Sequence, residues 1–227
     1  MAGSQRKRTS RATELPTGPP PKAVVSRLSL YLRELQHLIR NDQTTVSSTD
    51  LGQRLGFSDA QVRKDLAYFG QFGYPGIGYR CQELHAQIKR IMGTDRDWPV
   101  ALVGLGNLGR ALLGYKGFGL QRFQVVAVFD ADARKIGRMV AGVAVHDPRD
   151  LPKLVKQHDI RLGIIAVPAE SAQDVAEQMV SVGIEGILNF AAVRITVPPR
   201  IRQASVDLAI ELEQLSFAVV NGLRNPT

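Results

Sequence analysis

One cysteine, Cys81, in 227 residues excludes an intrachain disulfide framework. A lone thiol without a partner group reads as an incidental small side chain, not a nucleophile. No apolar run approaches the roughly 18 residues that cross a bilayer, and no apolar stretch follows the basic cluster near Met1, so the expectation is a cytoplasmic protein with no membrane partner. The four histidines (His37, His85, His146 and His158) are scattered, with no metal-ligand spacing. None has an acid and a base beside it at a strand end, and little chain remains for a substrate domain. Catalysis is therefore not expected, and neither is a metal.

What is present is an ordinary globular composition, 44% hydrophobic and 22% charged, with a net charge of +8. The charge is unevenly placed: residues 1–22 carry an excess of +4, residues 23–93 of +3, and the remainder of +1. A basic front end on a near-neutral back end suits a chain that holds a polyanion with its N-terminal half. Charge alone is equally compatible with a solvated basic surface. The length accommodates two modest domains, each able to bury a core.

Residues 1–21 are rich in Arg, Ser, Thr, Gly and Pro and read as a flexible basic arm. From Lys22, Val24, Leu28, Tyr31, Leu32, Leu35, Leu38 and Ile39 recur at helical spacing in a segment ending near Asn41. Ser47-Ser48-Thr49 offers N-caps for a short helix ended by Gly56, and Phe57-Ser58 makes a turn. Ser58 or Asp59 caps a third helix, Ala60 to Tyr68, with Val62, Leu66 and Phe69 inward and the outward positions drawn from Gln61, Arg63, Lys64 and Asp65. Glycines at 70, 73, 76 and 78 among Phe72, Tyr74, Ile77 and Tyr79 predict a β-hairpin, and Ala86 to Met92 a further short helix. Together these describe a winged helix-turn-helix over residues 22–93, whose polar third helix is narrow enough for the major groove. An ordinary three-helix bundle shares the same local pattern.

The apolar strand Pro99–Val103 then runs into Gly104-Leu105-Gly106-Asn107-Leu108-Gly109, and Asp130 closes the next strand, 21 residues past the last glycine. Strand, glycine-rich turn, helix and acid form a dinucleotide-binding unit. Gly104 permits the tight turn, Gly106 a close approach to pyrophosphate, and Gly109 close packing of helix on sheet. Asp130 is placed to accept from an adenosine ribose and to repel a 2′-phosphate, favouring NAD(H), although Arg134 and Lys135 stand nearby. Further strands are expected at Val143–His146, Arg161–Pro168, Gly186–Phe190 and Val206–Ala209, with helices at Pro148–Gln157 and Glu170–Val182. The fold class is thus α/β, with a Rossmann-type doubly wound parallel sheet over residues 94–208. The last helix, roughly Ile210 to Val220 within residues 209–227, carries Leu212, Leu215, Phe217, Val219 and Val220, more apolar surface than a solvent-facing helix needs. A partner subunit or the chain's own sheet would cover it.

These residues resemble the Rex family of bacterial redox-sensing transcriptional repressors. The likeness is carried by Ser26-Arg27-Leu28 with Tyr31-Leu32-Arg33, Gln61 to Leu66 with Tyr68-Phe69-Gly70, Gly76-Ile77-Gly78-Tyr79, and Val103 to Gly109. Tyr115 to Gly119, Gly186 to Ala191 and Leu215-Ser216-Phe217-Ala218 extend it over nearly the whole chain after the arm. The resemblance implies a homodimer with a domain-swapped C-terminal helix, a winged-helix domain on palindromic double-stranded operator DNA, and release of that DNA when NADH binds. It implies a DNA-facing set of Ser58, Gln61, Arg63, Lys64 and Tyr79, and a pyrophosphate site at Gly104, Leu105, Gly106, Asn107, Leu108 and Gly109. Asp130 would hold the ribose, Tyr115 and Phe190 would lie near the nicotinamide, and Asp207 matches an acid near the domain interface. Tyr74-Pro75 stands where the family's wing carries a basic residue. A small NAD-dependent oxidoreductase and a CoA-binding module are the alternatives that share the glycine-rich turn.

Overall fold

A computed structural model describes residues 20–222, so the basic arm expected over 1–21 and the last five residues lie almost wholly or wholly outside the described residues. The chain divides into two compact units, Met1–Asp95 and Arg96–Thr227. The fold is α/β, with an N-terminal winged helix-turn-helix and a Rossmann-type sheet.

The first unit runs α1 (Lys22–Arg40), β1 (Thr45–Val46), α2 (Ser48–Leu55), α3 (Asp59–Ala67), β2 (Tyr79–Arg80) and α4 (Cys81–Ile91). The spacing of Leu28, Tyr31, Leu32, Leu35 and Leu38 turns one face of α1 inward onto Leu51, Val62, Leu66, Leu84 and Ile88. Each such aliphatic side chain, once buried, contributes about 1.5–3 kcal/mol. Ser47 Oγ accepts from the Asp50 N–H at 2.9 Å to start α2, and Gly56, at φ 74°, ends it in the left-handed conformation. Gly52 is required for the helix-turn-helix corner, because a Cβ there would strike the Phe57 carbonyl.

The structure departs from three expectations in this unit. The wing is not a two-stranded hairpin within residues 70–79. Only Tyr74 and Gly78 bridge, and β2 pairs antiparallel with β1, before α2, through Thr45 with Arg80 and Val46 with Tyr79. Positive φ at Gly70, Gly73, Gly76 and Gly78 breaks any longer local ladder. Asp65, expected among outward positions, is completely buried. The last helix of this unit also begins earlier, at Cys81, whose side chain lies in the core.

The second unit runs β3 (Trp98–Val103), α5 (Asn107–Leu113), α6 (Lys116–Leu120), β4 (Phe123–Phe129), β5 (Met139–Val140), β6 (Val143–His146), α7 (Leu151–Gln157), β7 (Leu162–Ile165), α8 (Ala169–Ser181), β8 (Gly186–Asn189), β9 (Arg202–Ser205) and α9 (Leu208–Val220). The sheet order is β5-β6-β4-β3-β7-β8-β9, with all pairings parallel except β5 with β6. Without β5 this is the doubly wound 3-2-1-4-5-6 order centred on β3. Alternation along β3 splits the core: Ala101 and Val103 face the layer with α7 and α8, while Val100 and Leu102 face the layer with Leu112, Leu113 and Phe118. The sixth parallel strand lies at Arg202–Ser205, not Val206–Ala209, because the Asp207 carboxylate accepts from the Ala209 and Ile210 N–H groups and starts α9 there.

Candidate functional site

The register of the sheet sets the first site. Val103, Phe129, His146, Ile165 and Asn189 lie on one row across the parallel strands, so the residues that follow them, including Gly104, Asp130, Ala166 and Phe190, leave the sheet together at its carboxyl edge. That edge is where open α/β sheets take their ligands. Gly104 has φ 97°, and a Cβ on it would come within 2.6 Å of the Ala166 carbonyl carbon and 2.9 Å of Val167 Cγ1. A Cβ on Gly109 would strike the Gly104 carbonyl, so glycine there lets α5 close on the turn. Gly106, by contrast, would meet nothing within 4 Å. Its bare backbone faces open space at the start of α5, beside exposed Asn107 and Leu108, and that fits a pyrophosphate resting on the turn. Leu105 is in the core, and only its backbone belongs to the turn's surface.

Asp130 is nearly buried and fully engaged. Its Oδ2 accepts from the Leu105 N–H at 2.7 Å and from Lys135 Nζ at 2.9 Å, and its Oδ1 accepts from the Asp132 N–H at 2.8 Å. Burial pushes its pKa up, but Lys135 and the two backbone N–H groups outweigh that and hold it below the usual carboxylate range. The carboxylate therefore stays ionised, and Oδ1 keeps capacity for a ribose hydroxyl. The basic residues that blur a reading against 2′-phosphate are both spoken for: Lys135 by Asp130, and Arg134 by Asp132, whose pKa is held at about 2 by that guanidinium.

Phe190 is half-buried against the layer of Val100 and Leu102. Its loop is shaped by Asn189, a fully buried side chain that sequence reasoning did not single out. Asn189 Nδ2 donates to the Val193 carbonyl at 2.8 Å and Oδ1 accepts from the Ala191 N–H at 2.9 Å. Its position at the end of a strand was the available signal. Tyr115 precedes α6 with 59% of its surface exposed, its ring edge-to-face on Phe118 and lying over Gly117, where a Cβ would sit 2.6 Å from Tyr115 Oη. Among the described residues no group of acids, histidines and cysteines could hold a metal, no histidine bonds a carboxylate, and no helix is long and apolar enough to cross a membrane.

The second candidate surface is α3. Ser58 Oγ accepts from the Gln61 N–H at 3.1 Å and is the helix N-cap. Arg63 is exposed and held by Asp59 at 2.7 Å and Ser48 at 3.0 Å, while Lys64 is exposed. Gln61 and Asp65, one turn apart, meet through Gln61 Nε2 and Asp65 Oδ1 at 2.6 Å. Arg27 and Tyr31 reach the same carboxylate from α1, the tyrosine hydroxyl donating at 2.8 Å. Burial raises the Asp65 pKa, but the bonds from Arg27, Tyr31 and Gln61 together leave it below the usual range. The Tyr79 ring packs in the first unit's core, burial raises its hydroxyl pKa, and the residue lines a surface cavity with Ser47, Ser48 and Arg63. At the wing, the Arg80 guanidinium stacks on Tyr74 at 4.7 Å and pairs with Glu83 at 2.9 Å.

Residues 95–193 match the family model described as "CoA binding domain", and residues 21–67 match one described as "Putative DNA-binding protein N-terminus". A redox-sensing transcriptional repressor Rex from Pelotomaculum thermopropionicum is 47% identical over 88% of this chain and 94% of its own. One of the same name from Desulfitobacterium hafniense is 47% identical over 88% of this chain and 95% of its own. Among solved structures, RSP in complex with β-NAD+ and operator DNA superposes with a TM-score of 0.86 at 32% identity, covering 90% of this chain and 94% of that one. RSP in complex with β-NADH superposes at 0.81 and 30% identity, covering 90% and 96%.

Proposed function

The chain belongs to the family of Rex redox-sensing transcriptional repressors, and we propose that it holds operator DNA as a homodimer and releases it when NADH binds. The observation that carries this reading is the presence in one chain of a winged helix-turn-helix with a polar α3 and a glycine-rich dinucleotide edge. In such a protein the dinucleotide is a signal and not a reagent. Relatives named as repressors support the non-enzymatic reading, and related structures with β-NAD+ and operator DNA or with β-NADH support the two ligands.

In this reading Gly104 to Gly109 hold the pyrophosphate and Asp130 the adenosine ribose. Those contacts are common to NAD+ and NADH, so discrimination arises at the nicotinamide, near Tyr115 and Phe190, where apolar surroundings favour the uncharged reduced ring. Moving occupancy from about 99:1 to 1:99 requires NADH to favour the released state by roughly 10⁴-fold, about 5.5 kcal/mol, which two sites per dimer share. Ser58, Gln61, Arg63 and Lys64 form the DNA face. The wing contributes little positive charge, since Arg80 is already paired with Glu83. The dimer forms through α9, whose apolar residues surround the helix on every side and are almost all exposed in the single chain. A helix apolar all round is one that an assembly buries.

A CoA-binding module is favoured by the match over residues 95–193 alone. The ionised Asp130 disfavours it, because CoA carries a phosphate on the ribose that this carboxylate faces. The test is a gel shift on a palindromic operator at several NADH/NAD+ ratios, with CoA as competitor. Release by NADH alone is expected; equal release by NAD+, or displacement of NADH by CoA, overturns the reading.

A further inference from the structure

Asp65 is the completely buried carboxylate of the first unit, and the direction of every hydrogen bond it makes is fixed. It accepts from Arg27 Nε at 2.5 Å and Nη2 at 2.8 Å, from Tyr31 Oη at 2.8 Å, and from Gln61 Nε2 at 2.6 Å. An ionised carboxylate has no hydrogen to give. Gln61 must therefore turn its NH₂ toward Asp65 and its carbonyl away. The two ends of a glutamine amide are ordinarily interchangeable by rotation; here rotation would break a charge-assisted bond and set Oε1 against a buried negative charge. Among the described residues Gln61 Oε1 accepts no hydrogen bond.

We propose that Asp65 is a positioning residue that fixes the hydrogen-bond polarity of Gln61, so that α3 presents a carbonyl acceptor to an exocyclic amino group of a base in the operator's major groove. This rests on the reading of α3 as the operator-facing helix. In the major groove only adenine N6 and cytosine N4 donate, whereas guanine and thymine present acceptors that repel a carbonyl. Phosphate oxygens repel it equally, so a bond accepted by this carbonyl comes from a base and not from the backbone. The second hydrogen of the Gln61 amide remains for N7 when that base is adenine. Arg27 and Tyr31 act behind Asp65: they neutralise and saturate it, which keeps it ionised next to Gln61.

The probe is the duplex that the full-length chain enriches from a randomised pool, measured by fluorescence anisotropy. Gln61→Ala, compared with wild type across single base-pair substitutions, identifies the pair that Gln61 reads. At that pair, removing the exocyclic amino group (purine for adenine, or 2-pyrimidinone for cytosine) is expected to weaken wild type about tenfold and Gln61→Ala hardly at all. Asp65→Asn frees the amide to rotate and is expected to relax the preference at that pair only. The proposal is overturned if Gln61→Ala alters no preference, or if removing the exocyclic amino group weakens wild type no more than it weakens Gln61→Ala. A folded Asp65→Asn with an unchanged profile overturns it too. Where Asp65→Asn does not fold, the modified bases on wild type decide. Failure to enrich any duplex is a different result, which removes the DNA-binding reading itself and this inference with it.

Discussion

If α9 is the dimer seam, as proposed, replacing Leu215 and Phe217 together by aspartate is expected to take that dimer apart without unfolding the chain. In the single chain Leu215 is 59% and Phe217 62% exposed, and α9 also exposes Leu208, Ile210, Leu212, Val219 and Val220. Full burial of a leucine or phenylalanine contributes about 1.5–3 kcal/mol, so the remaining exposure leaves about 1–2 kcal/mol for each to gain in a dimer, roughly 3 kcal/mol for the two. In a two-fold dimer through α9 each residue would be buried twice, which makes the loss roughly 6 kcal/mol, about 10⁴-fold in Kd. A nanomolar dimer would move to roughly tens of micromolar, before any cost of desolvating the new carboxylates. Sedimentation equilibrium at about 1 µM protein should find wild type as dimer and the variant as monomer. Operator affinity should fall in parallel, since a palindrome engages two copies of α3. Thermal unfolding should stay cooperative and fall only by the stabilisation that dimerisation had added, because neither side chain belongs to a core cluster of the chain. A variant that still sediments as dimer at this concentration, or a monomeric wild type, would refute the assignment of α9.

Gly109→Ala drives a Cβ into the Gly104 carbonyl, so NADH affinity, followed by nucleotide fluorescence, should fall at least tenfold while α3 still binds operator. Gly117→Ala displaces the Tyr115 ring from its seat on α6 and should change the ratio of NADH to NAD+ affinity several-fold, with AMP affinity unaltered; an unaltered ratio would detach Tyr115 from the nicotinamide. The Asp65 carboxylate has a lowered pKa in the folded state, so its contribution to stability is complete above the unfolded value of about 3.9 and is lost as pH falls through the folded value. Denaturant midpoints between about pH 5 and pH 2 should fall less for Asp65→Asn than for wild type, and parallel slopes would contradict the pairing.

Much of the fold could be read locally. The spacing of Leu28, Leu32 and Leu35 on α1, the caps at Ser47 and Ser58, the glycines at 104, 106 and 109, and the acid at the end of β4 are each decided within a turn or two of chain. Three features were not. The pairing of β2 with β1 joins residues more than thirty positions apart, across two helices. The shift of the last strand to Arg202–Ser205 follows from its partner, β8, and from the cap at Asp207. Asp65 looked outward because Gln61, Arg63 and Lys64 beside it are polar, yet Arg27 and Tyr31 arrive from α1 and make burial of its charge tolerable.

By itself the sequence determined the longer helices, the strands around the dinucleotide turn, that turn, and the division into a basic front and a near-neutral back, because periodicity, capping and glycine conformation act over a few residues. The tertiary structure alone decided which polar groups face each other. Lys135 on Asp130, Asn189 beneath the Phe190 loop, and Asp65 behind Gln61 are such meetings. Hydrogen-bond polarity and ionisation depend on atoms about 3 Å apart in space, whatever their separation along the chain.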